Sequence, residues 1–140
     1  MQYKKFGSTI AVRIDRGEEI IASVKRLCEK ENIRLAMISA LGAVDHAVVG
    51  LYRVKEKRYL PNTLYGEYEM TSLSGNVTRK DGEVYLHMHA DFADENGHVF
   101  GGHLNEAVIS GTCEMFLTVI DGEIGRKHDE TTGLNVFELK

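Results

Sequence analysis

The sequence predicts an α+β domain, a mainly antiparallel β-sheet with one principal amphipathic helix packed on it. Two observations lead to this prediction. One stretch has apolar residues at helical spacing, whereas most of the remaining chain alternates like strands and carries tight-turn dipeptides. With 140 residues, of which 43% are hydrophobic and 27% charged, the chain suits a single compact domain over residues 1–140.

The helix is predicted in the stretch DRGEEIIASVKRLCEKEN, residues 15–32. Asp15 followed by Glu18 has the spacing of a capping box, with Asp15 as the N-cap. One apolar stripe runs along this stretch against a charged back, and we expect it to face the sheet. Its members are Ile20, Ile21, Val24, Leu27 and Cys28.

Strand-like segments make up most of the remaining chain. A polar loop is predicted around Pro61, the only proline. The dipeptides Asp81-Gly82, Asn96-Gly97 and Asp121-Gly122 suit tight hairpin turns, which require positive φ angles. We expect six to eight strands in total, beginning with those predicted at residues 8–15, 34–44, 47–54 and 65–78.

Composition excludes several classes of protein. No apolar run reaches the roughly 20 residues that cross a bilayer, and the N-terminal stretch lacks the features of a signal peptide. The expected location is therefore the cytoplasm, as a soluble protein. Cys28 and Cys113 each lie in an apolar pattern and form no C-x-x-C pair, so buried free thiols are predicted.

The charge balance argues against autonomous DNA binding. The chain has 17 Lys and Arg against 21 Asp and Glu, a formal net charge of −4. Proteins bind phosphate backbones mainly through clustered cations. The densest cationic stretch is RVKEKR, residues 53–58, which is more typical of a solvated loop or an edge strand.

The stretch YLHMHADF, residues 85–92, contains the clearest pattern in the sequence. Successive side chains of a strand point to opposite faces, so His87 and His89 share one face, about 6.6 Å apart along the strand. That spacing allows both imidazoles to reach one metal ion. The opposite face is wholly apolar and consists of Val84, Leu86, Met88, Ala90 and Phe92.

A third ligand is predicted at His103, in VFGGHLNE. A simple hairpin centred on Asn96-Gly97 would place His89 opposite residue 104, within one position of His103. A bulge at the glycine pair 101–102 could then bring His103 to the same face. Three protein ligands are typical of a catalytic zinc site. The alternative is that these histidines form only the solvated face of a strand.

Two carboxylates are candidates for proton transfer. Asp91 shares the predicted face of the two strand histidines. It could serve as a fourth metal ligand or as the hydrogen-bond partner of a ligand histidine. Glu114 shares a strand face with Phe116, Thr118 and Ile120, so it is either partly buried with a raised pKa or exposed on an edge strand. His98 is expected in an exposed turn and His128 in an exposed acidic loop, RKHDE, while His46 has no evident partner.

The sequence resembles the plants-and-prokaryotes-conserved (PPC) domain family. The segments that carry the resemblance are ISALGAV (38–44), LSGNV (73–77) and LHMHADFADENGHVFGGHL (86–104), followed by GTCEMFLTVIDG. The resemblance implies an α+β fold, a homotrimer and the label of a putative DNA-binding protein. The fold and the histidine spacing are also similar to those of acetolactate decarboxylase, which holds zinc with an H-x-H pair and a later histidine.

The chain departs from plant PPC proteins because it has no AT-hook; its only Arg-Gly lies in the acidic DRGEE. Three functions remain open. The first is a trimeric PPC-domain protein with a zinc site, or another divalent transition metal, at His87, His89 and His103. The second is a metal-dependent lyase or hydrolase acting on a small carbonyl compound, with Glu114 or Asp91 handling protons. The third is an interaction scaffold without direct nucleic-acid contact.

Overall fold

Long antiparallel strands dominate the fold. The computed structural model of the chain describes residues 1–139, with eight strands, one α-helix and one 3-10 turn at Val54–Glu56. These elements confirm the predicted α+β class, and eight strands fall within the expected six to eight. The elements are β1 Gln2–Phe6, β2 Thr9–Asp15, α1 Ile20–Lys30, β3 Ala36–Arg53, β4 Arg58–Lys80, β5 Glu83–Ala93, β6 Val99–Val119, β7 Gly125–Asp129 and β8 Leu134–Glu138.

Six strands form one sheet that partly closes on itself. The strand order is β1-β2-β6-β3-β4-β5, and β5 also pairs with β6. β6 can serve three neighbours because it is long and its segments pair in succession, first with β5, then with β3 and β2. The remaining two strands, β7 and β8, form a separate hairpin. The closing β5–β6 pair is where the histidines lie.

β-bulges bend the long strands. The β3–β4 register shifts between Ala40 and Gly42 and again between Val44 and His46. Each shift adds local twist, which allows a strand of 18 residues such as β3 to curl rather than run flat. Bending of this kind brings the two ends of the sheet together.

The core lies between the helix and the concave face of the sheet. On β5, Met88, Ala90 and Phe92 are buried, which confirms the predicted apolar face at its centre, while Val84 and Leu86 are partly buried against the core. The helix buries the residues Ile20, Ser23, Val24, Leu27 and Cys28, whereas Ile21 is only partly buried.

The helix begins later than its capping-box spacing predicts. Glu19 is the N-cap, and its carboxylate accepts hydrogen bonds from the backbone N–H of Ile21 (2.9 Å) and Ala22 (2.6 Å). Asp15 is therefore not the cap, although the Glu18 carboxylate does accept a hydrogen bond from the Asp15 N–H at 2.9 Å. The prediction was wrong because Asp15 is the last residue of β2, and the three residues 16–18 turn the chain before the helix begins.

Two further predictions are corrected. The segments predicted as separate strands at 34–44 and 47–54 form one strand, β3. Pro61 lies in β4, opposite Gly50, rather than in a loop. It is tolerated there because this part of β4 has only β3 beside it, and prolines occur in such edge positions. His128, expected in a loop, lies in β7.

The β4–β5 connection confirms one predicted turn. Asp81 (φ 52°) and Gly82 (φ 83°) both adopt positive φ between Lys80 and Glu83, as a two-residue hairpin turn requires. Among residues 1–139, no helix has the length and apolar character needed to span a membrane.

Candidate metal centre

The structure brings together the three histidines that the sequence singles out. Ring centroids are 5.1 Å apart for His87 and His89, 5.2 Å for His87 and His103, and 5.6 Å for His89 and His103. One ring nitrogen from each histidine lies within 4.8 Å of the others. The cluster is half-buried, with His89 the exposed member.

Strand register accounts for this cluster. His89 lies directly opposite His103 in the β5–β6 ladder, so both side chains project from the same face. His87 is two residues along β5 and shares that face. The β5–β6 pairing ends at this residue pair, where β6 continues alongside β3 with Gly50 opposite His103.

The observed register differs by one residue from the simple hairpin. Asp94 and His98 close a five-residue connection, with the Asp94 N–H donating to the His98 carbonyl at 3.0 Å. Because this connection has an odd number of residues, the residue opposite His89 is His103 rather than residue 104. The β5–β6 ladder therefore needs no bulge at the glycine pair. The irregularity of β6 that lies nearest to the histidines is at Asn105, which the β3–β6 register skips.

Glycines permit the close approach of backbones beside the cluster. A Cβ atom on Gly102 would lie 2.6 Å from the carbonyl oxygen of Gly50. A Cβ atom on Gly50 would in turn overlap the side chain of Tyr59. These contacts explain why glycine occupies both positions, next to or opposite His103.

The cluster forms one wall of a cavity of about 900 Å³. The hairpin β7–β8 forms the opposite wall. Most of the lining is aromatic or aliphatic, and tyrosine hydroxyls, asparagines and one arginine supply polar groups. The lining residues besides the histidines are Gly50, Leu51, Tyr52, Tyr59, Asn76, Tyr85, Gly102, Arg126, Gly133, Leu134, Asn135, Val136 and Phe137.

Burial favours the neutral imidazole in two of the three histidines, His87 and His103. Desolvation, and to a smaller extent the charges of His103, His89 and Arg126, together lower the pKa of His87 to about 4. Desolvation, together with the charge of His89, also lowers the pKa of His103. A neutral imidazole has a free lone pair on one ring nitrogen, which is the state that binds a metal ion. The donor set therefore fits a transition-metal ion.

Arg126 is held in the hairpin wall by three hydrogen bonds. Its Nε donates to the hydroxyl of Thr78 at 2.9 Å, Nη1 to the backbone carbonyl of Asn135 at 2.9 Å, and Nη2 to the side-chain oxygen of Asn76 at 2.7 Å. The guanidinium carbon also lies 4.6 Å from the ring centroids of both Tyr85 and Phe137. The side chain is thus fixed in orientation.

Neither candidate carboxylate lines this cavity. Asp91 is exposed on β5, two residues after His89, and lies opposite Gly101 of β6. Glu114 lies far along β6, between Arg13 of β2 and Leu41 of β3, and is exposed. Of the two alternatives for Glu114, partial burial is wrong and exposure is right, because the face of β6 that carries it points to solvent. The expected edge-strand position is wrong, since β6 lies between β2 and β3 here.

The other histidines have separate partners. His46 contacts Glu106 (3.3 Å) and the ring of Tyr65, His98 contacts Asp94 (3.2 Å), and His128 lies 3.8 Å from Glu130. Among the described residues, no other group of three metal-ligating side chains comes together.

The cavity residues other than the histidines, and the β7–β8 hairpin that forms the opposite wall, were not identified from the sequence. Arg126, Asn76, Tyr59 and Tyr85 line the cavity, yet none was singled out. The alternation in LNVFE, facing GRKHD across a turn with Gly133, was the available signal for β7 and β8. It is weak because both strands have only five residues and mixed polarity.

A bent antiparallel sheet that closes beside a three-histidine cluster defines a class of α+β protein with a candidate metal centre on the closing strands. More narrowly, the chain belongs to the Plants and Prokaryotes Conserved (PCC) domain family, whose model matches residues 1–121. This is the PPC domain that the sequence resembles. The β7–β8 hairpin lies beyond the matched residues.

Solved structures support this assignment. The chain is similar to a metal-containing protein from Archaeoglobus fulgidus, with 35% identity over 99% of each chain and a TM-score of 0.90. It is also similar to a plant- and prokaryote-conserved protein from Pyrococcus horikoshii, with 36% identity over 99% of this chain and 96% of that one, and a TM-score of 0.88. A putative DNA-binding protein from Bacteroides thetaiotaomicron has 27% identity over 98% and 96% of the two chains, with a TM-score of 0.95.

The predicted likeness to acetolactate decarboxylase holds for the fold. The Bacillus subtilis enzyme has a TM-score of 0.58 at 13% identity, over 87% of this chain and 57% of that one. At this identity the similarity concerns architecture alone. No curated protein sequence matches the chain.

Proposed function

We propose that the chain is a metal-binding PCC-domain protein in which His87, His89 and His103 hold a divalent transition metal, zinc by preference. The observation that carries the proposal is the grouping of three imidazole nitrogens within 4.8 Å. Two nitrogens bound to one zinc ion are roughly 3.3 Å apart, since each Zn–N bond is about 2.0–2.1 Å. Small side-chain rotations would therefore complete the site.

Three protein ligands would leave a fourth position open toward the cavity. A zinc ion held in this way supplies Lewis-acid chemistry: it polarises a carbonyl group or lowers the pKa of water. Burial favours the neutral form of His87 and His103, and the chain provides a largely apolar wall beside them. The metal-containing relative from Archaeoglobus fulgidus supports the same proposal.

Metal analysis of protein purified without chelators tests this site. We expect about one metal ion per chain, as a three-histidine site predicts. The ion should be lost from the variants His87→Ala and His103→Ala and retained in His128→Ala, whose imidazole lies in β7 beside Glu130. Protein that carries no metal, or a control variant that loses it equally, contradicts the proposal. Elemental analysis also distinguishes zinc from nickel, iron and cobalt.

The cavity favours a second function, a metal-dependent lyase or hydrolase acting on a small carbonyl compound. A cavity of about 900 Å³ beside the histidines is large enough for such a substrate. Asp91 and Glu114 stay predictions as proton-handling groups, and their positions outside the cavity give them little support. The Tyr59 hydroxyl is better placed: it donates to the His103 carbonyl at 3.3 Å and also contacts Asn105. Turnover that survives Tyr59→Phe would exclude this hydroxyl as the proton donor.

We also propose that the chain forms a homotrimer, as the family resemblance implies. The outer face of β3 and β6 exposes Met37 (61%), Leu41 (54%) and Phe116 (56%) on neighbouring strands. Exposed apolar groups that lie together are typical of an interface. Light scattering should give the mass of three chains; a monomer at micromolar concentration contradicts this assembly.

Direct DNA binding is proposed only on the likeness to a putative DNA-binding protein. In the most cationic stretch, residues 53–58, two of the four cations share one counter-ion, because Glu56 contacts both Arg53 (3.1 Å) and Arg58 (3.2 Å), and the chain as a whole has a net charge of −4. We therefore expect weak duplex binding. A titration with duplex DNA at increasing salt tests this, since phosphate contacts must produce a steep salt dependence; the alternative, an interaction scaffold without nucleic-acid contact, predicts no binding near physiological salt.

A further inference from the structure

The cavity beside the histidines carries a positive charge, and no acidic side chain belongs to the part of its lining that the structure describes. Arg126 lines it and supplies this charge. Among the described residues, no carboxylate forms an ion pair with this guanidinium. Burial lowers the pKa of Arg126 from its ordinary value, but arginine remains charged at neutral pH. A half-buried cation without a counter-ion favours an anionic ligand.

The Arg126 guanidinium has N–H groups that its three hydrogen bonds do not use. Arginine offers five N–H groups, and three hydrogen bonds to Thr78, Asn135 and Asn76 use one on each nitrogen. One N–H therefore remains on each of the two terminal nitrogens. Two N–H groups on neighbouring nitrogens match the two oxygens of a carboxylate.

Aromatic packing holds these donors in place before any ligand binds. The guanidinium carbon contacts the rings of both Tyr85 and Phe137, at 4.6 Å from each centroid. Tyr85 belongs to β5, two residues before His87, and Phe137 belongs to the hairpin. A side chain that is already oriented loses little entropy on binding, which raises its affinity for a matching anion.

The guanidinium is close to the candidate metal position. Asn76, which accepts a hydrogen bond from Arg126, lies directly opposite His87 in the β4–β5 ladder. A small ligand could therefore contact the guanidinium at one end and a metal on the histidines at the other. The aliphatic and aromatic side chains of Leu51, Val136 and Phe137 would contact its apolar body.

We propose that the cavity binds a monocarboxylate that has a second oxygen at the neighbouring carbon and an apolar body, that is, a 2-oxo- or 2-hydroxycarboxylate. Arg126 binds the carboxylate, and the second oxygen coordinates the metal. The second contact rests on the proposed function; the first does not. A phosphate is a poorer match, because it carries up to two negative charges and three terminal oxygens, and the described lining residues include a single arginine and no lysine.

Calorimetric titration of the unaltered protein with matched compounds tests the role of charge. The probes are 4-methyl-2-oxopentanoate, its methyl ester, 4-methylpentanoate and inorganic phosphate, each added to metal-loaded and to chelator-stripped protein. We expect the 2-oxo acid to bind at least tenfold more tightly than the ester in both forms. Equal binding of acid and ester, or tighter binding of phosphate, overturns the proposal.

Variants then assign the charge effect to Arg126. Arg126→Gln should abolish the preference for acid over ester while metal content stays that of the unaltered protein, and Arg126→Lys should retain part of it because it keeps the charge. The control is Arg13→Gln, an exposed arginine outside the cavity. An Arg126→Gln variant that still binds the acid more tightly than the ester contradicts the role proposed for Arg126.

The two proposals can fail separately. The advantage of 4-methyl-2-oxopentanoate over 4-methylpentanoate reports the metal contact and should vanish after stripping. A protein without metal refutes the metal site, while the difference between acid and ester still decides the role of Arg126.

Discussion

His89 and His103 face each other as a directly opposed pair, with ring centroids 5.6 Å apart, at the last position where β5 and β6 are joined. Beyond this pair, β6 runs beside β3. The histidines therefore lie where the sheet closes on itself, and their geometry depends on the same backbone contacts that close the sheet. Alterations of that closure should disturb both stability and metal binding.

Gly102→Ala should destabilise the protein and weaken metal binding. The added Cβ atom would lie 2.6 Å from the Gly50 carbonyl oxygen, and the native φ of 156° is one that L side chains rarely adopt. We expect a loss of about 1–3 kcal/mol in the free energy of unfolding. Urea denaturation measures the loss, and metal content measures the displacement of His103.

Gly111→Ala is the matched control in the same strand. Its Cβ atom would make an ordinary contact with Ala43 at 3.4 Å, and its φ is not positive. Its unfolding midpoint should stay near that of the unaltered protein. Equal midpoints for the two variants would contradict the role assigned to the close approach of Gly102 and Gly50.

The face that carries the histidines could be predicted, because strand periodicity is local. Two residues of spacing place His87 and His89 on one side, and His103 follows within a short hairpin. The register was wrong by one residue because the connection from Asp94 to His98 holds five residues rather than an even number. Turn length is a property of the backbone that a dipeptide signal determines only approximately.

The second wall of the cavity could not be predicted by the same reasoning. Arg126 meets Asn76 and Thr78 across separations of 50 and 48 residues. Nothing in the local pattern of β7 indicates those partners, because its five residues are mostly polar and half-exposed. The start of the helix could not be predicted from local sequence for the same reason. Its N-cap, Glu19, also accepts a hydrogen bond from the Ala107 N–H at 3.2 Å, and Ala107 is distant in sequence.

Glu19→Ala should destabilise the helix and its docking on β6. The carboxylate caps two N–H groups of the first turn and also accepts from Ala107, so the substitution leaves three backbone donors without this partner. We expect a loss of about 1–2 kcal/mol in the free energy of unfolding. Urea denaturation followed by circular dichroism measures it. The control Glu29→Ala removes only a distant surface contact with Lys25 (3.9 Å) and should change little; similar losses in both variants would show that the cap has no special role.

The two cysteines should be unreactive in the folded protein. Cys28 and Cys113 are fully buried, and burial raises the pKa of each thiol to about 12. Because the thiolate is the reactive form, an aromatic disulfide reagent at pH 8 should modify neither thiol in native protein and both in guanidinium chloride. Cys28→Ala should leave one reactive thiol after unfolding. Rapid modification of the native protein would contradict the burial of these groups.

The metal-free protein should lose stability as the pH falls from about 6.5 toward 5. Burial lowers the pKa of His87 from 6.5 to about 4, so the unfolded chain binds a proton in this window that the folded chain does not. Stability therefore rises with pH across the window and is fully present above the unfolded pKa. Because His87 is only half-buried, we expect a contribution on the order of 1 kcal/mol. Urea denaturation of chelator-treated protein at pH 5 and pH 7 measures it, and His87→Gln should reduce the difference between the two values. A variant with the full pH dependence of the unaltered protein would show that other groups produce it.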